Sequence, residues 1–129
     1  MEVQHALSRT ELLIGKEGLN KLRNSKVIVF GVGGVGSFTV EALARAGVGT
    51  LILVDDDTVC LTNLNRQIHA TYDTLGKVKV DVMKERILSI NKKCNVITHG
   101  LFVAHPGKKR NCSRDEKGGM LYLYLGQIL

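Results

Sequence analysis

Residues Gly31-Val32-Gly33-Gly34-Val35-Gly36 make a glycine-rich turn between an apolar run, Lys26-Val27-Ile28-Val29-Phe30, and a helix-like stretch opening near Ser37. Glycines let a backbone turn tightly and come close to a charged oxygen. A buried strand delivers the chain to such a turn, and the helix that follows aims its unpaired N–H groups and positive dipole end at the anion. The G-x-G-x-x-G spacing is common on its own. Here a second apolar run, Thr50-Leu51-Ile52-Leu53-Val54, ends in Asp55, 19 positions past Gly36. A carboxylate that reads ribose hydroxyls is expected about 20 residues on. Together these features specify a nucleotide site and suit either a dinucleotide or ATP.

Apolar periodicity sets the frame around the turn. Residues 26–31 are apolar on both faces, as in a central parallel strand covered by helices. Residues 34–47 carry helical spacing, with Val35, Phe38, Val40, Leu43 and Ala46 facing a core and Gly47 at the C-cap. Residues 50–55 form the second strand, 76–91 a helix with Val78, Val82, Ile87, Leu88 and Ile90 as its apolar face, and Cys94–Thr98 the third strand. Upstream, Ser8-Arg9-Thr10-Glu11 has capping-box spacing. It opens a segment reaching Asn24, broken near Gly15 and Gly18, with Leu12, Leu13, Leu19 and Leu22 as its apolar side. The β-α-β-α-β order predicts an α/β fold, the first half of a Rossmann-like parallel sheet with flanking helices. The polar connection 56–75 has a length that loops reach mainly when they bind something or contain a short helix.

The 129 residues make one domain or part of one, and 44% hydrophobic and 23% charged residues are ordinary for a soluble chain. No apolar run approaches 18 residues, so no transmembrane helix is expected. The first residues lack a signal peptide's basic start and apolar stretch. Cys60, Cys94 and Cys112 are without a C-x-x-C pair and read as reduced thiols of a cytoplasmic protein, not as a zinc site. Cys60 reads as a small buried residue, and His69 and His99 as structural. The net charge of +6 divides into 13 basic and 10 acidic residues over 1–103 and 5 and 2 over 104–129. The main body is mildly basic, which permits a polyanionic partner such as tRNA without arguing for one.

The connection decides between nucleotides. Asp55-Asp56-Asp57-Thr58-Val59-Cys60-Leu61-Thr62-Asn63-Leu64-Asn65-Arg66-Gln67 resembles the hallmark segment of the ThiF/MoeB/HesA family, relatives of the ubiquitin-activating enzymes. Gly76-Lys77-Val78-Lys79 is similar to that family's G-x-x-K element, and the resemblance covers roughly residues 8–100. Within the family, Ser8-Arg9-Thr10-Glu11-Leu12-Leu13-Ile14-Gly15 and Val54-Asp55-Asp56-Asp57 look most like the tRNA threonylcarbamoyladenosine dehydratases. The resemblance implies ATP-dependent activation of a carboxylate as an acyl-adenylate. It implies that Gly31, Gly33, Gly34 and Gly36 line the phosphates and that Asp55 holds the ribose, with Asp57 beside the ligand. Asn63, Arg66 and Lys79 would grip the triphosphate with help from Gln67. Arg9 matches an arginine that reaches into a neighbouring subunit's site, implying a homodimer. The acid is the threonylcarbamoyl group of a tRNA adenosine in one branch of the family. In the other it is the C-terminal glycine of a ubiquitin-like sulfur-carrier protein.

The family pattern continues with a further strand ending in an aspartate that coordinates the Mg2+ of ATP. No counterpart is found here, since Asp115 lacks a preceding apolar strand, and no metal ligand is assigned. The expected organisation is therefore an ATP-binding half-domain over 1–103 and a divergent, disordered tail over 104–129, as from a truncated or frameshifted end, with activity reduced or lost. Without a fourth strand, strand one is left as an apolar edge prone to aggregation, and Leu121-Tyr122-Leu123-Tyr124-Leu125 is not expected to cover it. Two readings from other classes compete. An NAD-dependent dehydrogenase shares the turn and Asp55 but needs no Asn63–Gln67 and Lys79 set. A non-catalytic nucleotide-binding module fits the short chain.

Overall fold

The computed structural model describes residues 4–101 and the backbone of 122–126. Its elements, in chain order, are α1 (Ser8–Arg23), β1 (Lys26–Phe30), α2 (Gly34–Ala46), β2 (Thr50–Val54), α3 (Lys79–Ile90), β3 (Asn95–His99) and β4 (Tyr122–Gly126). Strands β1, β2 and β3 are parallel, with Lys26 beside Thr50 and Thr50 beside Asn95 at one end, and Phe30, Val54 and His99 level at the other. That register brings the glycine turn after β1 and Asp55 after β2 to the same end of the sheet. In open α/β sheets ligands bind at this carboxyl end. The strand ends are tied together there: Gly31 N–H donates to the Val54 carbonyl at 2.9 Å, and Asp55 N–H to the His99 carbonyl at 3.1 Å.

The sheet order is β3-β2-β1-β4, with β4 antiparallel to β1 and Lys26 opposite Gly126. The expected bare edge of β1 is thus covered, and by part of the segment expected to be a disordered tail. A Leu-Tyr alternation has strong strand propensity. The unpaired N–H and C=O groups along β1 offer it a complete ladder. Asp115, the basic cluster 108–110 and the expected boundary at 103 lie outside the described residues.

One face of the sheet buries Val27, Val29, Leu51 and Leu53 against Val40 and Ala44 of α2 and Val80, Met83 and Ile87 of α3. Each such side chain contributes about 1.5–3 kcal/mol, so this cluster fixes how α2 and α3 sit on the strands. Ile28, Phe30 and Ile52 alternate to the other face and are only half-buried, so the two-sided cover expected of β1 is complete on one face alone.

All three helices bury a set of residues different from the expected one. On α2 the buried stripe is Gly36, Ser37, Val40, Glu41 and Ala44, while Val35 and Phe38 are more than half exposed. Small residues at the helix start allow close approach to the strand ends, and Ser37 Oγ accepts the Ile68 N–H at 3.3 Å. In α1 Gly15, at φ 70°, breaks the helix. Only the second half therefore reaches the core: Leu19 is buried, whereas Leu12 and Leu13 are over four-fifths exposed. The capping box does not form, because Ser8 Oγ accepts the His5 N–H at 2.8 Å and Glu11 pairs with His5 Nε2 at 2.7 Å. On α3, Lys79 and Met83 join the buried face that Leu88 leaves. Glu41 locks α2 to α3, accepting from Arg86 Nε at 2.5 Å and Arg45 Nε at 2.9 Å. Cys60 is held in a disulfide and Cys94 is free and buried, so the reading of three reduced thiols is corrected.

Candidate nucleotide-binding site

Gly31 closes β1 at φ 87°, a left-handed conformation that only glycine adopts freely. The chain then runs through Val32 into Gly33, the N-cap of α2. The first bond of that helix ladder is Ser37 N–H to the Gly33 carbonyl at 3.0 Å. The N–H groups of Gly34, Val35 and Gly36 therefore precede the ladder and face out of the helix end, where the dipole favours an anion. A Cβ added at Gly33 would come no nearer than 3.8 Å to a neighbour, and one at Gly34 no nearer than 3.5 Å. Packing within the chain thus has no need for glycine at either position. What their missing side chains preserve is access to the helix end.

Asp55 is the keystone of the turn. Its Oδ2 accepts the Val32 N–H at 2.7 Å and its Oδ1 the Asp57 N–H at 2.9 Å. A carboxylate has about four acceptor positions, so roughly two remain for hydroxyls of a ligand. The other side of the same residue is held by His69, whose Nε2 donates to the Val32 carbonyl at 2.8 Å. Val32 is thereby clamped through both its N–H and its C=O. His69 is 2% exposed, and its own carbonyl is bonded by Thr74 Oγ1 at 2.7 Å. A lone histidine in sequence gives no sign of this strut, because its partner is a backbone carbonyl 37 residues away.

The polar connection contains two short 3-10 turns, Leu61–Asn63 and Tyr72–Thr74. Asn63 is buried, and its Oδ1 caps the Cys60 N–H at 2.9 Å. Its carbonyl accepts from Arg66 and Gln67, at 3.2 and 3.0 Å. These bonds throw Arg66 and Gln67 over the glycine turn: Arg66 Cδ lies 3.5 Å from a Cβ built on Gly34, and Gln67 Nε2 lies 3.8 Å from one on Gly33. Arg66 Nη1 is steadied by the Thr62 carbonyl at 3.0 Å and Asn65 Oδ1 at 2.9 Å. Lys79, at the start of α3, is 3% exposed; its N–H donates to the Asp57 carbonyl at 3.0 Å and its Nζ lies 3.7 Å from Asp57 Oδ2. Gln67 Oε1 and His69 Nδ1 are buried acceptors without a partner among the described residues.

The glycines, Asp55, Asp57, Asn63, Arg66, Gln67 and Lys79 thus gather at one end of the sheet. Arg9 does not join them. It is exposed near the start of α1, where Leu7 packs on Gly47 at the far end of α2. The 13 residues of α2 separate it from the turn by about 20 Å at 1.5 Å per residue. Asp55, Asp56 and Asp57 hold carboxylate oxygens within 4.8 Å of one another. Their disposition does not fit Mg2+, since both Asp55 oxygens accept backbone N–H groups and Asp57 faces Lys79.

Two groups give the fold a common response to acid. Burial holds the His69 pKa below its ordinary 6.5, and the Arg86 hydrogen bond holds Glu41 below 4.5. The folded chain binds fewer protons than the unfolded one in both cases, so stability is full at neutral pH and falls with acidification. The melting temperature is expected to decline from below pH 6.5 and again below 4.5. A His69→Gln variant should lose the first decline and keep the second, as read by melts across pH 7 to 3.

The ThiF family model matches residues 7–114. A tRNA threonylcarbamoyladenosine dehydratase of Bacillus subtilis is 60% identical over 98 residues, which are 76% of this chain and 39% of the relative. The crystal structure of the Escherichia coli tRNA threonylcarbamoyladenosine dehydratase in complex with ATP superposes with a TM-score of 0.75 at 46% identity, covering 76% of this chain and 40% of that one. The sulfur carrier protein ThiS adenylyltransferase of Escherichia coli is 44% identical over 78 residues, 60% of this chain and 31% of the relative. The chain spans about two-fifths or less of the length of the curated relatives it matches.

Proposed function

The chain belongs to the ThiF family, and from that premise we propose that it carries the ATP-binding part of an adenylating enzyme, a tRNA threonylcarbamoyladenosine dehydratase. The observation that carries this reading is that Arg66 and Gln67 lie over a glycine turn whose helix end is open, with Lys79 joined through Asp57 to Asp55 beside it. A dehydrogenase needs no such cation set. In the reaction a carboxylate oxygen attacks the α-phosphorus of ATP, the bond to the bridging oxygen breaks, and pyrophosphate leaves. Negative charge grows on phosphate oxygens, where fixed cations and backbone donors act most strongly. The open N–H groups of α2, Arg66 and Lys79 would hold those oxygens, Asp55 the ribose hydroxyls, and Asn63 the loop that presents Arg66 and Gln67. Asp57 would orient Lys79. A nucleophile of the same modified base then attacks the activated carbonyl, AMP leaves, and a ring closes. Mg2+ would be held by an aspartate on a further strand of the longer relatives' pattern.

Residues 1–103 form the nucleotide-binding half in this proposal and 104–129 a divergent extension. Arg9, remote from its own turn, would act in a partner's site within a homodimer, and the setting would be the cytoplasm. A second reading has the acid on the C-terminus of a sulfur-carrier protein, favoured by the match to the ThiS adenylyltransferase. Melts of the chain with Mg-ATP and with NAD test the shared premise. ATP at about 100 times its dissociation constant should add about 2.7 kcal/mol. Stabilisation by NAD alone would overturn it. Release of pyrophosphate driven by modified tRNA, and not by a carrier protein, would then choose the acceptor.

A further inference from the structure

At the opposite end of the sheet, where the helices finish and β2 and β3 begin, lies an open pocket of about 690 Å³. That volume is typical of small-molecule sites, which run from about 300 to 1,000 Å³. Its apolar lining comes from Leu7, Ala44, Val48 and Ile90, and backbone at Gly47 and Gly49 forms part of the wall. Among the described residues none that lines it is acidic. Arg23, Lys92 and Lys93 also line it, and among the described residues none of the three enters an ion pair or side-chain hydrogen bond. Arg45 reaches the cavity too, but its guanidinium is spent on Glu41 at 2.8 Å.

Helix ends explain only part of this charge. Three helices terminate here, and each C-terminus presents about half a negative charge, roughly −1.5 together. Three unpaired cations exceed that by about 1.5 charges. Two of the carbonyls at this end are occupied as well: Asn91 Nδ2 donates to the Ala44 carbonyl at 3.3 Å and to the Val48 carbonyl at 3.4 Å. What remains is a concave apolar surface under an excess of positive charge.

We infer that this cavity is a second ligand site, independent of the nucleotide site, for a small phosphomonoester carrying an apolar or aromatic group. A dianionic phosphate matches the excess charge, and the Arg23 fork suits paired phosphate oxygens. A concave site of about 690 Å³ with an apolar wall has the size of a small molecule, whereas a nucleic-acid backbone follows an extended groove.

Titration of the 15N-labelled chain with phenyl phosphate tests this. Saturable amide shifts are expected at Gly47, Val48 and Gly49, with Gly31 to Gly36 unmoved and inorganic phosphate binding at least tenfold more weakly. The double variant Lys92→Glu/Lys93→Glu should weaken phenyl phosphate tenfold or more while keeping its other amide positions. Arg23→Gln serves as an independent variant with the same expectation. Absence of saturable shifts at 47–49, shifts confined to the glycine turn, or unchanged affinity in the variants would overturn the site. Equal binding of inorganic phosphate would overturn the assignment of an apolar ligand.

Discussion

Substituting Gly49 with alanine is expected to remove the cooperative thermal melt of the chain. A Cβ at this position would sit 1.7 Å from the carbonyl oxygen of Arg23 and 2.7 Å from its carbonyl carbon. Both are backbone atoms, so no side-chain rotation relieves the clash. Nor can residue 49 retreat, since its N–H donates to the Leu22 carbonyl at 3.1 Å and its carbonyl accepts the Asn95 N–H at 2.8 Å. Those bonds connect the end of α1 and the start of β3 across the head of β2. Overpacking usually costs about 1–3 kcal/mol when side chains can yield. With backbone on both sides the cost should exceed about 5 kcal/mol, the lower end of the whole stability of a domain. Gly76→Ala is the contrast. Nothing lies within 4 Å of its Cβ and only the φ of 80° resists, so the loss should be about 1–2 kcal/mol. A cooperative melt of Gly49→Ala within a few degrees of the parent would contradict the geometry.

Lys79→Met is expected to leave the fold intact and to weaken ATP binding by about 10- to 150-fold. A charge-assisted hydrogen bond contributes about 1.5–3 kcal/mol, and each 1.4 kcal/mol is a factor of ten. Methionine fills nearly the same volume, and an apolar group suits a position only 3% exposed. Asp57 has a side chain 44% exposed, so loss of the Lys79 pair is made good by water at little cost. Stability and affinity should therefore separate, with calorimetric titration reading the loss and a urea melt showing none. Unchanged affinity would remove Lys79 from the proposed phosphate grip.

Much of this architecture is legible in the sequence because it follows from short-range pattern. The runs at 26–30 and 50–54 are apolar and β-branched, and the strands fall there within a residue. Gly47 caps α2 in the left-handed conformation expected of it. Asp55 and Arg66 are found where the glycine turn is, since the family motif already encodes that proximity. What the sequence hides are facts of the third dimension. Whether Val35 or Gly36 faces the strands depends on how closely α2 approaches them, and helical spacing alone admits both. His69 looks like any isolated histidine until the Val32 carbonyl is seen opposite it. The cover over β1 comes from residues more than ninety positions away. No local signal couples them.

That distant cover gives the chain a timetable. Residues 26–30 leave the ribosome 96 residues before 126, the last residue of their partner strand. At about 5–20 residues per second, β1 waits about 5–20 s with one side of its backbone unclaimed, even if β2 pairs with the other at once. Helices α2 and α3 can form within microseconds of emerging, so the slow step of maturation is set by translation rather than by any barrier within the early elements. During that interval the nascent chain offers neighbouring chains on the same message an identical strand to pair with. Slower decoding of the stretch between β3 and β4 would lengthen the exposure without altering one contact of the finished sheet.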